Sequence, residues 1–235
     1  MEIPNFPECD HSLVQSLFQH SDYDLVRLFQ QQPESGRYFT TIFCRYSPVV
    51  YSLIRHSARS PVQSEYLFAL TWRHISHELR GIDLPTEGDN DAFALQGWLI
   101  NLTAACINQT DVPEVESIHY SLKETSPPLW CYVSQALDQL RPVHRLMVVM
   151  AQTFHWSETR IAAYLQAEGQ PISPKLVQSQ LAKAYRALEL ALPEDIRAIY
   201  LDVVPDQDPE DAELDQLLDV SDLDFSSTPG NASGE

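Results

Sequence analysis

The sequence is poor in glycine and lacks closely paired cysteines. Only 7 of its 235 residues are glycine, and neither a G-x-G-x-x-G nor a Walker A pattern occurs. Because loops that cradle phosphates depend on closely spaced glycines, we expect no dinucleotide or nucleoside triphosphate site. The four cysteines include no C-x-x-C pair. This favours reduced thiols in a cytosol over a disulfide framework or a zinc ribbon.

Membrane and export signals are missing as well. The longest uninterrupted apolar run is Leu146–Ala151, far short of the ~20 residues that a membrane span needs. Met1–Asp10 contains no basic stretch followed by an apolar core, so it does not resemble a signal peptide. The sequence therefore predicts a cytoplasmic protein without a membrane span.

Basic residues are scarce and unevenly distributed. The chain has 33 acidic and 15 basic residues, a net charge of −18. Residues 201–235 contain 11 acidic residues and no base, whereas residues 129–200 contain 7 basic and 6 acidic residues. More than half of the net charge therefore comes from one tail. The average acidity does not exclude nucleic acid as a partner of the segment before that tail.

Apolar residues recur at helical spacing along most of the chain. No segment alternates with a period of two for long enough to predict a strand, so we expect an all-α protein. In Tyr38–Ile54 the helical spacing continues through Pro48, and the dipeptide Ser47-Pro48 is typical of a helix start. This segment predicts either two helices with a break or one kinked helix.

The domain organisation follows from changes in composition. Proline and acidic residues concentrate in residues 111–128, which indicates a linker between two helical domains, residues 1–110 and 129–200. Residues 201–235 are expected to form an acidic, mostly disordered tail. Two roles stay open for this tail. In the first role, the tail only solvates the chain. In the second, its leucines form a short amphipathic helix whose acidic groups cover basic residues of the second domain.

Groups that could carry out catalysis or bind a metal are sparse. His74 and His77 lie three residues apart with Glu78 beside them, which superficially suggests a metal site. Zinc needs three or four converging ligands, and no companion pair with suitable spacing is present. We therefore expect solvated or partly packed histidines and buried, unreactive cysteines. The sequence predicts no catalytic residues, no metal, no cofactor and no enzymatic activity.

The C-terminal helices carry a more informative pattern. A short helix at Ser157–Gln166, a turn, and a long helix from Pro174 have the layout of a helix-turn-helix, whose second helix enters the major groove of DNA. The outward positions of this second helix are Lys175, Gln178, Ser179, Ala182, Lys183 and Arg186. Gln and Ser can recognise base edges, while Lys and Arg suit phosphates. The spacing alone fits an ordinary helix pair with a solvated face equally well.

Five segments between Asp22 and Leu192 carry a family pattern. The first is DYDLVRLFQQQPESGRYFTTIFCRYSPVVYSLIR, which is followed by LFALTWRHI (Leu67–Ile75) and LQGWLINLTAACIN (Leu95–Asn108). After the linker come ALDQLRPVHRLMVVMAQTFHWSETRIAAYL and LVQSQLAKAYRALELAL. In their order, these segments resemble the extracytoplasmic-function (ECF) type of bacterial RNA polymerase sigma factor. The first is similar to the opening helices of that family, and the last two resemble the helical domain that recognises the −35 promoter element.

The resemblance implies a transcription initiation protein without a cofactor or catalysis of its own. Its first domain would bind core RNA polymerase and melt the −10 promoter element, and its second would contact promoter DNA at the −35 element. Carried over by position, the polymerase-binding residues are Glu65, Phe68 and Trp72. The DNA-binding residues are Lys175, Gln178, Ser179, Gln180, Lys183 and Arg186. An anti-sigma or other regulatory protein is a further partner that such a protein can have.

The chain departs from the family pattern in its charge. Ser60–Tyr66 keeps only Glu65 where the polymerase-facing helix of the family is rich in acids, and Ala104–Glu116 has no base. The recognition helix offers Gln178 and Gln180 where Lys or Arg is usual. Because each lost phosphate contact lowers affinity, we expect the chain alone to bind DNA weakly. These losses favour an alternative, a sigma-derived adaptor or regulatory protein that has lost promoter recognition.

Overall fold

Serine–proline pairs begin two of the long helices. The Ser60 hydroxyl accepts a hydrogen bond from the amide of Gln63, and Pro61 occupies the first helical position. Ser173 and Pro174 begin a second long helix in the same way. Because the first helical position leaves its amide without a partner inside the helix, a proline is tolerated there. Both starts are therefore defined by local sequence.

A computed structural model describes residues 4–58, 60–84 and 94–201. Within these residues there are ten α-helices and no strand, which confirms the all-α class for this part of the chain. The helices are α1 (Ser12–Gln15), α2 (Asp22–Gln31), α3 (Arg37–Ser57), α4 (Pro61–Leu79), α5 (Leu95–Gln109), α6 (Pro127–Gln139), α7 (Pro142–Gln152), α8 (Glu158–Ala167), α9 (Pro174–Ala191) and α10 (Glu194–Tyr200). Short 3₁₀ helices span Pro7–Asp10 and Val115–Ser117.

The described residues all belong to one compact unit. The predicted boundaries of the two domains and the linker stay predictions. The predicted tail, residues 201–235, lies outside the described residues except for Leu201.

The α3 helix continues unbroken through Pro48, so a single helix forms where the sequence left two possibilities. Proline inside a helix costs about 3 kcal/mol. The same helix buries Phe39, Ile42, Val50 and Ile54 completely. Since burial of one large apolar side chain contributes roughly 1.5–3 kcal/mol, the packing of this face outweighs the cost of the proline.

Aromatic side chains form the centre of the larger hydrophobic core, where α3 packs against α2, α4 and α5. The ring of Trp72 on α4 lies edge-on to Phe43, with 5.0 Å between ring centres. Phe68 lies edge-on to Tyr51 at 5.3 Å. Edge-to-face pairs of this kind stabilise a core beyond the burial of their area. They fix α4 firmly against α3.

The α6 helix contributes to two hydrophobic cores. Cys131, Tyr132 and Ala136 are buried in the larger core. Leu140, which follows α6, is buried in a second core made by α7, α8 and α9, and Leu137 packs against that core. This helix therefore joins the packing of the N-terminal helices to that of the C-terminal helices.

The segment before α6, predicted as a linker, is partly buried. Leu122 belongs to the larger core. The Tyr120 ring lies 5.3 Å from the ring of Trp130, and its hydroxyl donates a hydrogen bond to the carbonyl of Thr125 at 2.5 Å. Burial raises the pKa of Tyr120 above its ordinary value. These contacts pack residues 120–125 against the start of α6.

Cys9 and Cys44 are joined by a disulfide bond, with 2.07 Å between the two sulfur atoms. The expectation of reduced cysteines is therefore wrong for this pair, whereas Cys106 and Cys131 are buried free thiols. Sequence spacing could not identify the pair, because 35 residues separate its members and only the fold brings them together. Closing a loop of this length stabilises the folded chain by roughly 4 kcal/mol.

The start of α3 is capped by a residue far away in the sequence. The Ser35 hydroxyl and the amides of Gly36 and Arg37 donate to the carboxylate of Asp195 on α10, at 2.7, 3.0 and 2.9 Å. The helix has no local side-chain cap and no acidic residue in its first turn, so this carboxylate supplies both an acceptor and favourable charge. The approach is close: a Cβ on Gly36 would lie 2.2 Å from the side chain of Ile196. Glycine is therefore required at position 36.

We expect Asp195→Ala to lower the free energy of unfolding by about 1–3 kcal/mol, because three donors at the start of α3 lose their acceptor. The control is Asp138→Ala, which removes a 77% exposed carboxylate paired with Arg145 and should change stability by less than about 1 kcal/mol. Urea denaturation followed by circular dichroism measures both. Equal losses in the two variants would contradict a special role of Asp195.

The buried carboxyl of Glu8 makes stability depend on pH. Burial raises the pKa of Glu8 above its ordinary value of 4.5, and the Tyr200 hydroxyl donates to it at 3.3 Å. The contribution of Glu8 to the free energy of unfolding is therefore fully present below pH 4.5. It is lost as the pH rises through the raised pKa. We expect Glu8→Gln to be more stable than the wild type at pH 7, with the difference disappearing below pH 4.5.

Thermal unfolding of the wild type and of Glu8→Gln, from below pH 4.5 to pH 7, measures the difference in stability. Asp10→Asn, at an exposed position of the same segment, serves as the control and should show no comparable trend. A Glu8→Gln variant that is less stable than the wild type at neutral pH would contradict the expectation.

Candidate nucleic-acid interface

Two helices and a short turn form the surface on which the predicted DNA-binding residues lie. The α8 helix starts after Ser157, whose hydroxyl accepts from the amide of Arg160. Gly169, with φ of +85°, turns the chain beyond α8. The side-chain amide of Gln166 donates to the carbonyl of Ile172 at 2.7 Å and holds the turn closed. Both α8 and α9 pack into the second core.

The predicted DNA-binding residues follow α9 but differ in exposure. The buried side of the helix consists of Val177, Leu181 and Ala184. The exposed members of the predicted set are Lys175, Gln178 and Arg186. The partly buried members are Ser179, Gln180 and Lys183. The structure therefore places all six on one helix, with three of them open to solvent.

Gln180 has a partner inside the protein. Its side-chain oxygen lies 2.8 Å from Nε2 of His144 on α7. Further along α9, the Tyr185 hydroxyl accepts a hydrogen bond from the side-chain amide of Gln152 at 2.6 Å. These two contacts fix the orientation of α9 against α7. Together with the buried side of the helix, they hold α9 in place in the second core.

The charge around this surface differs from that of the whole chain. Residues 141–191, which contain α7, α8 and α9, have six basic and three acidic residues, while the whole chain has a net charge of −18. A locally positive surface attracts a polyanion even when the protein as a whole is acidic. The six basic residues include the three that were expected to contact DNA phosphates, Lys175, Lys183 and Arg186.

The predicted polymerase-binding residues are largely internal. Phe68 and Trp72 are completely buried in the larger core, where they hold α4 against α3. Neither side chain is accessible to a partner in this structure. Glu65 lies at the edge of the core, and its carboxylate accepts a hydrogen bond from the amide of Leu122 at 3.3 Å.

Residues of the predicted linker and of α6 also contact α4. The side-chain amide of Gln63 donates to the carbonyl of Pro113 at 3.2 Å. The guanidinium of Arg73 lies 5.1 Å from the centre of the Trp130 ring, a cation–π contact. A partner that docks on α4 where these contacts lie must therefore displace contacts that the chain makes with itself.

The two histidines that suggested a metal site lie in a groove between α4 and α5. His74 and His77 line one side of it together with Arg73, and Cys106 and Gln109 line the other, around a volume of about 580 Å³. Across the described part of the chain, no three His, Cys, Asp or Glu side chains are grouped so as to hold a metal ion. Both histidines are exposed.

An exposed aromatic cluster between α7 and α8 was missed by the sequence analysis. The rings of Phe154 and Tyr164 lie 5.9 and 5.8 Å from the ring of Trp156, and the Arg160 guanidinium lies 4.3 Å from its centre. Phe154 is 57% exposed. His155 has a positive φ of 52°, so the backbone turns sharply between Phe154 and Trp156. The closeness of two aromatic residues in the sequence was the available signal, because Tyr164 joins them only after α8 has formed.

None of the described helices has the length and apolar composition required to cross a membrane. Comparison of the chain with models of protein families, with curated proteins and with solved structures finds no match.

Two glutamines of α9 allow structural and recognition roles to be separated. We expect Gln180→Ala to lower the free energy of unfolding by about 0.5–1.5 kcal/mol, because its hydrogen bond with His144 is lost. Gln178→Ala, at an exposed position two residues away, should change stability by less than about 0.5 kcal/mol. Chemical denaturation of both variants provides the measurement. A larger loss for Gln178→Ala would contradict the assignment.

Proposed function

We propose that the chain is a sigma-like transcription initiation protein that binds core RNA polymerase and directs it to promoter DNA. The main support is the surface of α9, which follows α8 after a short turn and exposes Lys175, Gln178 and Arg186 in a locally positive part of an acidic chain. In this proposal α8 and α9 act as a helix-turn-helix, with α9 in the major groove. The order of ECF-like segments in the sequence supports the same function.

The side chains of α9 have distinct roles in this proposal. Lys175, Lys183 and Arg186 contact phosphates and position the helix, while Gln178 and Ser179 contact base edges. Gln180 contributes through its contact with His144, which orients α9. With so few basic residues, binding of the chain alone to DNA is weak, and core polymerase supplies the remaining affinity.

Polymerase binding is proposed to use α4. Because Phe68 and Trp72 are buried, their role is to hold α4 in place, and the contacts are made by exposed side chains of the same helix, such as Val62 and His77. The contact between Leu122 and Glu65 must open if the partner covers this side of α4. The protein itself performs no catalysis and needs no cofactor in this proposal, and it acts in the bacterial cytoplasm. An anti-sigma or other regulatory protein is a further proposed partner.

A second candidate is a sigma-derived adaptor or regulatory protein that no longer recognises promoters. Three observations favour it. Glu65 is already bound by an amide of the chain itself, and Gln180 is bound by His144. In addition, residues 104–116, where the family carries bases that meet promoter DNA, have none.

The test combines co-elution with core RNA polymerase and run-off transcription. We expect the wild type to co-elute with bacterial core polymerase on size exclusion and to support transcription from a cognate promoter found by selection from a random library. Lys183→Glu and Arg186→Glu should abolish transcription, which we define as a loss of at least tenfold, because each reverses a charge on the DNA-facing side of α9. Co-elution of both variants with core polymerase should persist.

The matched control is Arg145→Glu, which reverses an exposed charge on α7 beside Asp138. It should keep most of the transcriptional activity, and circular dichroism of each variant checks that the helices are intact. Co-elution without any transcription by the wild type would favour the adaptor. Failure to co-elute would overturn the sigma-like function.

A further inference from the structure

The disulfide between Cys9 and Cys44 fastens the N-terminal segment, residues 4–11, to the middle of α3. Both cysteines are partly exposed, whereas the free thiols of Cys106 and Cys131 are buried. Exchange between a thiol and a disulfide requires access of the attacking thiolate to one of the sulfur atoms. The accessible pair is therefore the oxidised one.

The fastened segment makes two contacts beyond the disulfide. Phe6 inserts its ring into the larger core, 4.7 Å from the ring centre of Phe43 and 6.1 Å from that of Phe68. Glu8 is a buried carboxyl, 5% exposed, and accepts a hydrogen bond from the Tyr200 hydroxyl on α10. The segment thus packs on one side against α3 and α4 and on the other side against α10.

The contact with α10 links the disulfide to the C-terminal helices. The Asp195 carboxylate at the start of α10 caps α3, and Tyr200 at its end holds Glu8. Burial disfavours the charged form of Glu8, so this carboxyl leaves the protein interior readily once nothing fastens the segment. Opening of the segment removes one hydrogen-bond partner of Tyr200 and weakens the docking of α10.

We propose that the Cys9–Cys44 disulfide is a thiol–disulfide exchange site that controls the docking of residues 4–11 and, through Glu8 and Tyr200, of α10. The co-reactant is a dithiol, either a small molecule or a protein. Its first thiolate attacks one of the two sulfur atoms, the bond between Cys9 and Cys44 breaks, and a mixed disulfide forms. The second thiol of the dithiol then resolves this intermediate. In total, the cysteines gain two electrons and two protons, and the dithiol becomes a disulfide.

The proposal does not depend on the function proposed above, since it concerns residues outside α9 and the exposed side of α4. It predicts two forms of the chain. In the oxidised form the N-terminal segment is fastened and α10 is docked. In the reduced form both regions open more often, while the helices of the second core stay unchanged.

The first experiment counts accessible thiols in the full-length protein. One sample is treated with oxidised glutathione and desalted, the other is incubated with dithiothreitol, and iodoacetamide labelling under native conditions is mapped by mass spectrometry. We expect Cys9 and Cys44 to be labelled only after reduction, with Cys131, which is buried in the larger core, unlabelled in both samples as the internal control. Labelling of Cys9 and Cys44 in the oxidised sample, or a bond that dithiothreitol does not reduce in the folded protein, would overturn the exchange site.

The second experiment measures amide hydrogen exchange of the same two samples. We expect reduction to accelerate exchange about tenfold in residues 4–11 and 194–200, while residues 142–167 stay unchanged. Cys9→Ser should exchange like the reduced wild type, and Cys106→Ser should keep the full response to reduction. If Cys9→Ser does not fold, the comparison of the oxidised and the reduced wild type still tests the proposal. Faster exchange confined to residues 4–11 would overturn the link to α10.

Discussion

The carboxylate of Asp195 at the start of α3 is the contact on which the arrangement of the helices depends. The α3 helix lies at the centre of the larger core, yet its first turn contains no capping side chain and no acidic residue. The missing acceptor is supplied by a residue about 160 positions further along the chain. Because α10 follows α9 after two residues, the cap also determines where the C-terminal end of α9 lies. The core and the candidate DNA-binding helix are thereby parts of one packing arrangement.

The packing places the ECF-like residues in roles that the resemblance does not describe. Arg45 and Tyr46, from the Arg-Tyr-Ser-Pro segment, both bond to the carboxylate of Asp22 and join α3 to the start of α2. Burial is the main reason why the pKa of Tyr46 is raised, so its hydroxyl stays protonated and remains a donor. Residues that identify a sequence pattern can thus be residues that hold helices together. Functional residues have to be sought among those that remain exposed.

The sequence allowed prediction of features that depend on neighbouring residues. A short helix from Ser157 and a long helix from Pro174 were expected, and both form, because the hydroxyls of Ser157 and Ser173 each cap an amide three residues away. The disulfide and the Asp195 cap were not foreseen, because each joins residues that only the complete fold brings together. The same limit applies to Gln180. The resemblance assigned this residue to DNA, whereas the neighbouring α7 provides it with a partner inside the protein.

The two apolar faces of α6 have a consequence for dividing the protein into fragments. A fragment that starts at residue 129 would carry Tyr132 and Ala136 without the N-terminal helices that bury them. A fragment that stops before α6 would instead leave the larger core open on the side where Cys131 packs. Exposed apolar surfaces of this kind promote self-association. Crystallisation or binding studies with half of the chain would therefore have to redesign α6, and the intact chain is the simpler material.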